Sequence, residues 1–284
     1  MYNIVMFAHN EEQNIDKSIA SIFANVDHHL NAFFIIANGC TDKTVSVIAK
    51  HKALLGFEKL IVVELTLGDK CNAWNHYVHS LAESVDTHFF VDADVKFSPL
   101  CFPKMATYLN DTPDTTVTVA GLPLSGRNST FYQQLVVERA CFFGNLYGLK
   151  LSFIKRIQSV GFRLPMGLNW IDSFLTKAVN TDLNFFNYNL PDRVTYLKDT
   201  GYYFDSLSPF NKSDIKLYVN RIARYELGKI QEVHLDKLPV ADWPKSLDEI
   251  NNNIAANFKF ESQHLSVIKR ALVKKRLKKL LSKS

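Results

Sequence analysis

The chain has 284 residues, 47% hydrophobic and 21% charged, which suits one large domain or a core with a small addition and excludes a disordered protein. Its formal charge of +5 and pI of about 8.9 are too modest to argue for a polyanionic partner, although the surplus gathers at the C-terminus.

Residues 3–8 form an apolar run of strand length, and 12–26 sets Ile15, Ile19, Ile22, Phe23 and Val26 at helical spacing. A second β-type run, 33–37, stops at the turn pair Asn38-Gly39, after which Thr41-Asp42 can cap a helix carrying Val45, Val47 and Ile48. Residues 60–65 predict a third strand, 72–83 a third helix and 88–91 a fourth strand. Strands alternating with helices over short links predict βαβ units: an α/β, Rossmann-like, mainly parallel sheet flanked by helices. In such sheets ligands bind beyond the carboxyl ends of the strands. That rule brings His9-Asn10-Glu11-Glu12, Asn38-Gly39 and Asp92-Ala93-Asp94 to one crevice.

Beyond Asp94 the pattern loosens. Residues 116–120 predict a strand, 130–146 a helix, 161–169 a Gly/Pro loop and 170–179 a helix. Two more helices, 212–228 and 262–281, flank the loop around Pro239 and Pro244. The expected division is a core over 1–230 and a C-terminal helical extension over 231–284. Cys40, Cys71, Cys101 and Cys141 stand far apart without a CxxC pair, which predicts reduced thiols. The N-terminus lacks a charged n-region and cleavage site, and the most span-like stretch, 135–154, carries Glu138, Arg139 and Lys150. A cytoplasmic chain, or one peripheral on a membrane, is expected.

The apolar Phe89-Phe90-Val91 delivers two carboxylates, Asp92 and Asp94, at the end of the fourth strand. In extended chain i and i+2 point the same way, so both oxygens can face one ion. Mg²⁺ and Mn²⁺ favour such oxygen ligands, and a cation there would neutralise a departing diphosphate. The same pair also suits an acidic turn capping the next helix. His76 and His79, an i,i+3 pair without a third ligand, read as structural or surface residues; His234 is a candidate third metal ligand.

The ordered set of motifs resembles family 2 glycosyltransferases, which have the GT-A fold. Val5-Met6-Phe7-Ala8-His9-Asn10-Glu11-Glu12 is similar to the family's Pro-Ala-x-Asn-Glu-Glu strand and loop, with Phe7 for the proline. Asn38-Gly39-Cys40-Thr41-Asp42 resembles its second segment, Ala37 replacing an acid. Gly68-Asp69-Lys70-Cys71-Asn72-Ala73 resembles the Gly-Lys-x-x-Ala segment, and Asp92-Ala93-Asp94 stands at the metal motif. Ile171-Asp172 resembles Glu-Asp, and Arg221-Ile222-Ala223-Arg224-Tyr225 the Gln-x-x-Arg-Trp segment with Arg221 and Tyr225 substituted.

The resemblance implies an inverting transfer from a nucleotide sugar, UDP favoured, to a glycan or lipid-linked hydroxyl. Ala8, His9, Asn10, Glu11 and Asn38 would flank the nucleoside, and Lys70 and Arg224 would balance the diphosphate. Asp92, Ala93 and Asp94 would hold Mn²⁺ or Mg²⁺, and Asp172 would be the base. Asn38 also suits a turn, Asp172 a helix cap, Lys70 a solvated surface site and the arginines a basic helix face. Trp170 suits either sugar stacking or the core.

The tail from 262 to 284 carries Lys269, Arg270, Lys274, Lys275, Arg276, Lys278, Lys279 and Lys283. Leu265, Ile268, Leu272, Leu277, Leu280 and Leu281 recur at roughly helical spacing. It reads either as a basic amphipathic anchor on an anionic membrane or as a domain-packing or dimer helix with a solvated basic end. No aromatic reader platform accompanies it, so no nucleic-acid partner is expected. Two rivals stand beside the transferase. A sugar nucleotidyltransferase would need a glycine-rich first loop, which this chain lacks. A non-catalytic binding protein of the same fold would account for Phe7, Ala37, Ile171, Arg221 and Tyr225 as drift.

Overall fold

A computed structural model describes residues 1–185 and 187–282. One mixed sheet of eight strands runs through it in the order β3-β2-β1-β4-β7-β6-β8-β5. β1 (Tyr2–Ala8) lies between β2 (Leu30–Asn38) and β4 (Thr87–Asp92), and β3 (Leu60–Leu65) borders β2, all parallel. β7 (Leu146–Lys150) then runs antiparallel between β4 and β6 (Thr118–Pro123). β8 (Val194–Tyr203) lies parallel to β6, and the two-residue β5 (Lys96–Phe97) closes the edge antiparallel to β8.

Strand alternation builds two core faces. Ile4, Met6, Phe33, Ile35, Phe89 and Val91 pack against α1 (Ile15–Ala24), α2 (Thr44–Leu55) and α4 (Cys101–Asn110). Val5, Phe7, Phe34, Ile36 and Phe90 meet α3 (Lys70–His76), α6 (Leu151–Val160) and α7 (Ile171–Asn180) on the other face. Phe90 stacks on Tyr147 with centroids 5.0 Å apart and on Trp74 at 6.2 Å, while Trp74 Nε1 donates to the Tyr147 hydroxyl at 3.1 Å. This aromatic stack supports the end of β4; truncating Phe90 to Ala would cost about 3–5 kcal/mol.

The predicted helix over 130–146 is divided. α5 (Ser129–Arg139) stops at Ala140, which takes a left-handed φ of 45°, and a loop then leads into β7. α3 runs on into a π-helical turn, Tyr77–Leu81. α8 (Lys212–Leu235) is longer than the 212–228 expected, so a domain boundary after residue 230 falls inside one continuous helix. After a short 3₁₀ turn, Val240–Asp242, come α9 (Asp248–Ala256), α10 (Phe258–Glu261) and α11 (Val267–Leu281). Leu227 and Ile230 of α8 share a small core with Ile254, Leu265, Val273 and Leu277. The C-terminal helices are therefore seated directly on α8. No helix among the described residues is long and apolar enough to cross a membrane.

Candidate active site

The first three loops are tied together by their own polar groups. Asn10 takes a left-handed φ of 57° after β1, and its Oδ1 accepts from Thr41 N–H at 2.8 Å. Glu11 N–H donates to Thr44 Oγ1 at 2.8 Å and Lys43 N–H to Glu12 Oε2 at 3.0 Å. Asp42 Oδ1 accepts from Thr44 N–H at 3.0 Å, so it serves the first turn of α2 from the residue before the N-cap Lys43. His9 Nδ1 lies 2.6 Å from the Asn38 carbonyl oxygen, so this nitrogen carries the proton. Asn38 is buried and its Oδ1 accepts from Asp69 N–H at 3.0 Å; the acceptor assigned to a nucleobase is thus shared with the backbone. Gly39, at φ 61°, passes so close to Gly68 that a Cβ would lie 2.5 Å from the Gly68 nitrogen. One wall therefore combines Ala8, His9, Asn38 and the Gly39–Gly68 crossing.

Asp92 is the last residue of β4, in register with Phe7, whereas Ala93 and Asp94 form a turn. The two carboxylates thus leave from a strand end and a turn, not from the continuous extended chain assumed from their spacing. Ser18, buried on α1, fixes that turn: its Oγ lies 2.8 Å from both the Ala93 and Val95 carbonyls. Asp69 caps α3 by accepting from Asn72 N–H at 2.9 Å, and Lys70 beside it sets Nζ 2.6 Å from Asp92 Oδ1. The loop before β7 draws in Asp172: a Cβ on Gly144 would lie 2.7 Å from Asp172 Oδ1 and 3.2 Å from Lys70 Nζ. Asn145 accepts from Asp92 N–H at 3.4 Å. Neither Ser18 nor Gly144 carries a motif; only the fold brings them to the acidic pair.

The electrostatics follow from this crowding. Burial alone would lower Lys70, but the carboxylates of Asp92 and Asp172 outweigh it and hold its pKa above the ordinary lysine value. Desolvation and the charge of Asp92 push Asp94 upward. Asp172 is also raised, by desolvation first and Asp92 second, against the pull of Lys70. Glu11 rises through desolvation, with Asp94 and Asp92 adding to it against the Asn14 hydrogen bond. The carboxylates of Asp92 and Asp94, delivered at one strand end and the turn after it, are hard oxygen donors, so the residues present fit a divalent cation.

α8 presents one face to this crevice. Arg221 is felt by Asp94, Arg224 by Lys70 and Asp172, and Tyr225 by Asp172. Trp170 rests on Tyr225 with centroids 5.9 Å apart, and Lys229 Nζ lies 5.6 Å from its ring centroid.

His234 is not brought to the acidic pair: its Nε2 lies 3.2 Å from Glu261 Oε1. His79 serves structure, bonding the Phe162 carbonyl at 2.8 Å. Among the described residues, the group of three His, Cys, Asp or Glu ligands within 4.8 Å of one another is Asp27, His28 and His29. It sits on a loop where Asp27 already accepts from Tyr2 and His29, and it contributes nothing to the crevice. In the tail, Val273 and Leu277 face α8, with Leu280 and Leu281 packed beside them, so most of the apolar stripe is used internally. Val267 and Ile268 remain exposed with Phe260 and the lysines. Lys283 lies outside the described residues.

The family model for glycosyl transferase family 2 matches residues 3–164, more than half of the chain. No curated protein matches the sequence significantly. Among solved structures, the mannosyltransferase PcManGT from Pyrobaculum calidifontis, in complex with GDP-Man and Mn²⁺, is 17% identical with a TM-score of 0.63, the match covering 99% of this chain and 74% of that one. S. aureus TarS 1–349 in complex with UDP-GlcNAc is 12% identical, with a TM-score of 0.53 over 99% and 90% of the two chains. Glucosyl-3-phosphoglycerate synthase from Mycobacterium tuberculosis, with Mn²⁺, UDP and glucosyl-3-phosphoglycerate, is 17% identical, with a TM-score of 0.51 over 79% and 78%. At these identities the likeness speaks for the fold, while the family match speaks for descent. The chain belongs to glycosyl transferase family 2 and is a glycosyltransferase of the GT-A fold.

Proposed function

We propose that this glycosyltransferase moves a sugar, with inversion, from a nucleoside-diphosphate sugar to a hydroxyl of a glycan or lipid-linked acceptor. UDP is the favoured carrier. The observation that carries the reading is the convergence of Asp92, Lys70 and Asp172 around Gly144 at the ends of parallel strands. Solved structures of the same fold hold GDP-Man with Mn²⁺ and UDP with Mn²⁺, which supports a diphosphate donor and a divalent cation.

Ala8, His9, Asn10 and Glu11 flank the nucleoside, and Asn38 holds the wall beneath it through Asp69. Asp92 and Asp94, joined by the Ala93 backbone, hold Mn²⁺ or Mg²⁺, which when bound offsets the charge of the departing diphosphate. Lys70 and Arg224 add cationic donors for phosphate oxygens, Arg224 with a fork that can bind two at once. Asp172 takes the acceptor hydroxyl proton as that oxygen bonds to the anomeric carbon. The bond from that carbon to the phosphate oxygen breaks with its electron pair leaving on the nucleoside diphosphate.

The basic C-terminal surface belongs to a narrower proposal. Contact with an anionic membrane falls to exposed lysines and to Phe260, Val267 and Ile268, because the rest of the apolar stripe is packed.

A thermal-shift screen of UDP, GDP and dTDP and their sugars, with and without Mn²⁺, tests the donor reading. Stabilisation follows RT ln(1+[L]/Kd), so one base should stand out, in the presence of the cation. No shift from any nucleotide would defeat it.

A further inference from the structure

The C-terminal helices enclose a cleft that the transfer does not use. α11 spends one face, with Val273 and Leu277, on α8. A second face follows i, i+3, i+4, i+7 spacing through Val267, Arg270, Ala271 and Lys274 and opens toward α9 and α10. Ala255 and Ala256 of α9, with Phe258 and Lys259 of α10, complete a space of about 420 Å³. That volume falls within the roughly 300–1,000 Å³ of small-molecule pockets. The three alanines keep it open, because longer side chains there would fill it.

Charge in the cleft has one sign. Lys259, Arg270 and Lys274 line it, and no acidic residue does. Among the described residues none of these three cations has a carboxylate partner, whereas Lys269, one residue before Arg270, is paired with Glu226 at 2.6 Å. Arg270 is fixed by the turn before α11, its Nη2 donating to the Gln263 and Leu265 carbonyls at 3.3 Å. Its buried Nε has no acceptor among the described residues, so the protein itself leaves part of the guanidinium unused. Lys274 Nζ lies 6.0 Å from the Phe258 ring centroid, which sets a cation beside the apolar wall.

The rim is apolar as well as basic. Val267 is 81% exposed, its neighbour Ile268 74%, and Phe260, next to Lys259, 71%. A soluble phosphate would gain nothing from these side chains, whereas a lipid brings hydrocarbon to the same edge as its phosphate. We infer that the cleft is a site for one anionic phospholipid. Lys259, Arg270 and Lys274 take its phosphate oxygens, and Ala271 and Phe258 meet its glycerol and first methylenes. A zwitterionic headgroup would bring a cation that no lining carboxylate receives. The inference rests on the membrane reading of the basic surface and sharpens it from a charged patch to a saturable pocket.

The test titrates the full chain calorimetrically with dihexanoyl phosphatidylglycerol below its micellar concentration. Dihexanoyl phosphatidylcholine and glycerol 3-phosphate are titrated in parallel. Phosphatidylglycerol should bind once per chain, and the other two about tenfold more weakly or worse. Ala271→Leu, a charge-neutral change at an exposed helix position, should fill the cleft and weaken binding about tenfold or more with Tm unchanged. Lys274→Gln should weaken it about fivefold. Glycerol 3-phosphate binding as tightly as the lipid would make this a soluble-phosphate site and overturn the inference. Wild type that binds no short lipid, or Ala271→Leu that binds as well as wild type, overturns it too. So does a wild-type dimer that Ala271→Leu splits, because a second copy would then occupy the cleft. Sedimentation with phosphatidylglycerol vesicles separates the two readings. Vesicle binding without short-lipid binding removes the pocket and leaves the membrane surface standing; loss of both removes the membrane reading itself.

Discussion

Lys70 sets its ammonium 2.6 Å from Asp92 Oδ1, joining the first turn of α3 to the end of β4. The side chains are 34% and 28% exposed, so solvent screens the pair and it adds ~1 kcal/mol or less to stability. In the proposed transfer its position matters more than its strength, because Lys70 would face the departing diphosphate. Lys70→Met should lower kcat by about 10²–10³-fold with little change in Tm, and Lys70→Arg should recover part of the loss. An unchanged kcat would make the lysine structural.

Ser18 ties α1 to the turn between the two acidic residues through the Ala93 and Val95 carbonyls. Ser18→Ala leaves both carbonyls without that donor and should cost about 1–2 kcal/mol. A looser turn should also weaken Mn²⁺ binding, read from the electron paramagnetic resonance signal of free Mn²⁺. Loss of stability with unchanged Mn²⁺ affinity would confine Ser18 to folding.

His88 is fully buried at the start of β4, where the Tyr77 hydroxyl lies 2.8 Å from Nδ1. Burial lowers its pKa from 6.5 to about 4, so the folded chain keeps it neutral while the unfolded chain takes up a proton. Its contribution is therefore complete above about pH 6.5 and is lost as pH falls toward 4, up to about 3 kcal/mol at 1.36 kcal/mol per unit. Urea unfolding at successive pH values measures this. His88→Gln, which retains an acceptor for Tyr77, should flatten the curve in that window; an equally steep curve would assign the loss to other groups.

The basic C-terminal surface makes a separate prediction. Wild type should sediment with phosphatidylglycerol vesicles at low salt and be released as salt rises. Deleting α11 is a poor test because Val273 and Leu277 belong to a core. Reversing the exposed Lys259, Lys274 and Lys278 to Glu leaves that core intact and should abolish sedimentation. Wild type that stays in solution would remove the membrane from the account.

The first half of the fold was legible because β1, β2 and β4 are buried runs ending in turn or acidic residues. The range 60–65 matches β3 residue for residue. The second half was not. β7 has five residues, too few to separate from the aromatic stretch of α5 before it, and β8 mixes exposed polar residues with buried ones. Asp92, Asp94, Lys70 and Asp172 stand at motif positions, whereas Ser18 and Gly144 are brought beside them only by contacts distant in sequence. For α11, apolar spacing alone could not separate packing on α8 from insertion into lipid.

The most direct test of the central claim is release of nucleoside diphosphate from a panel of UDP-, GDP- and dTDP-sugars, with water as the acceptor. One donor class should turn over slowly with Mn²⁺ or Mg²⁺, and EDTA or the double substitution Asp92→Asn, Asp94→Asn should abolish that turnover. Nucleotide binding without turnover of any donor, or undiminished turnover in the double variant, would contradict the claim.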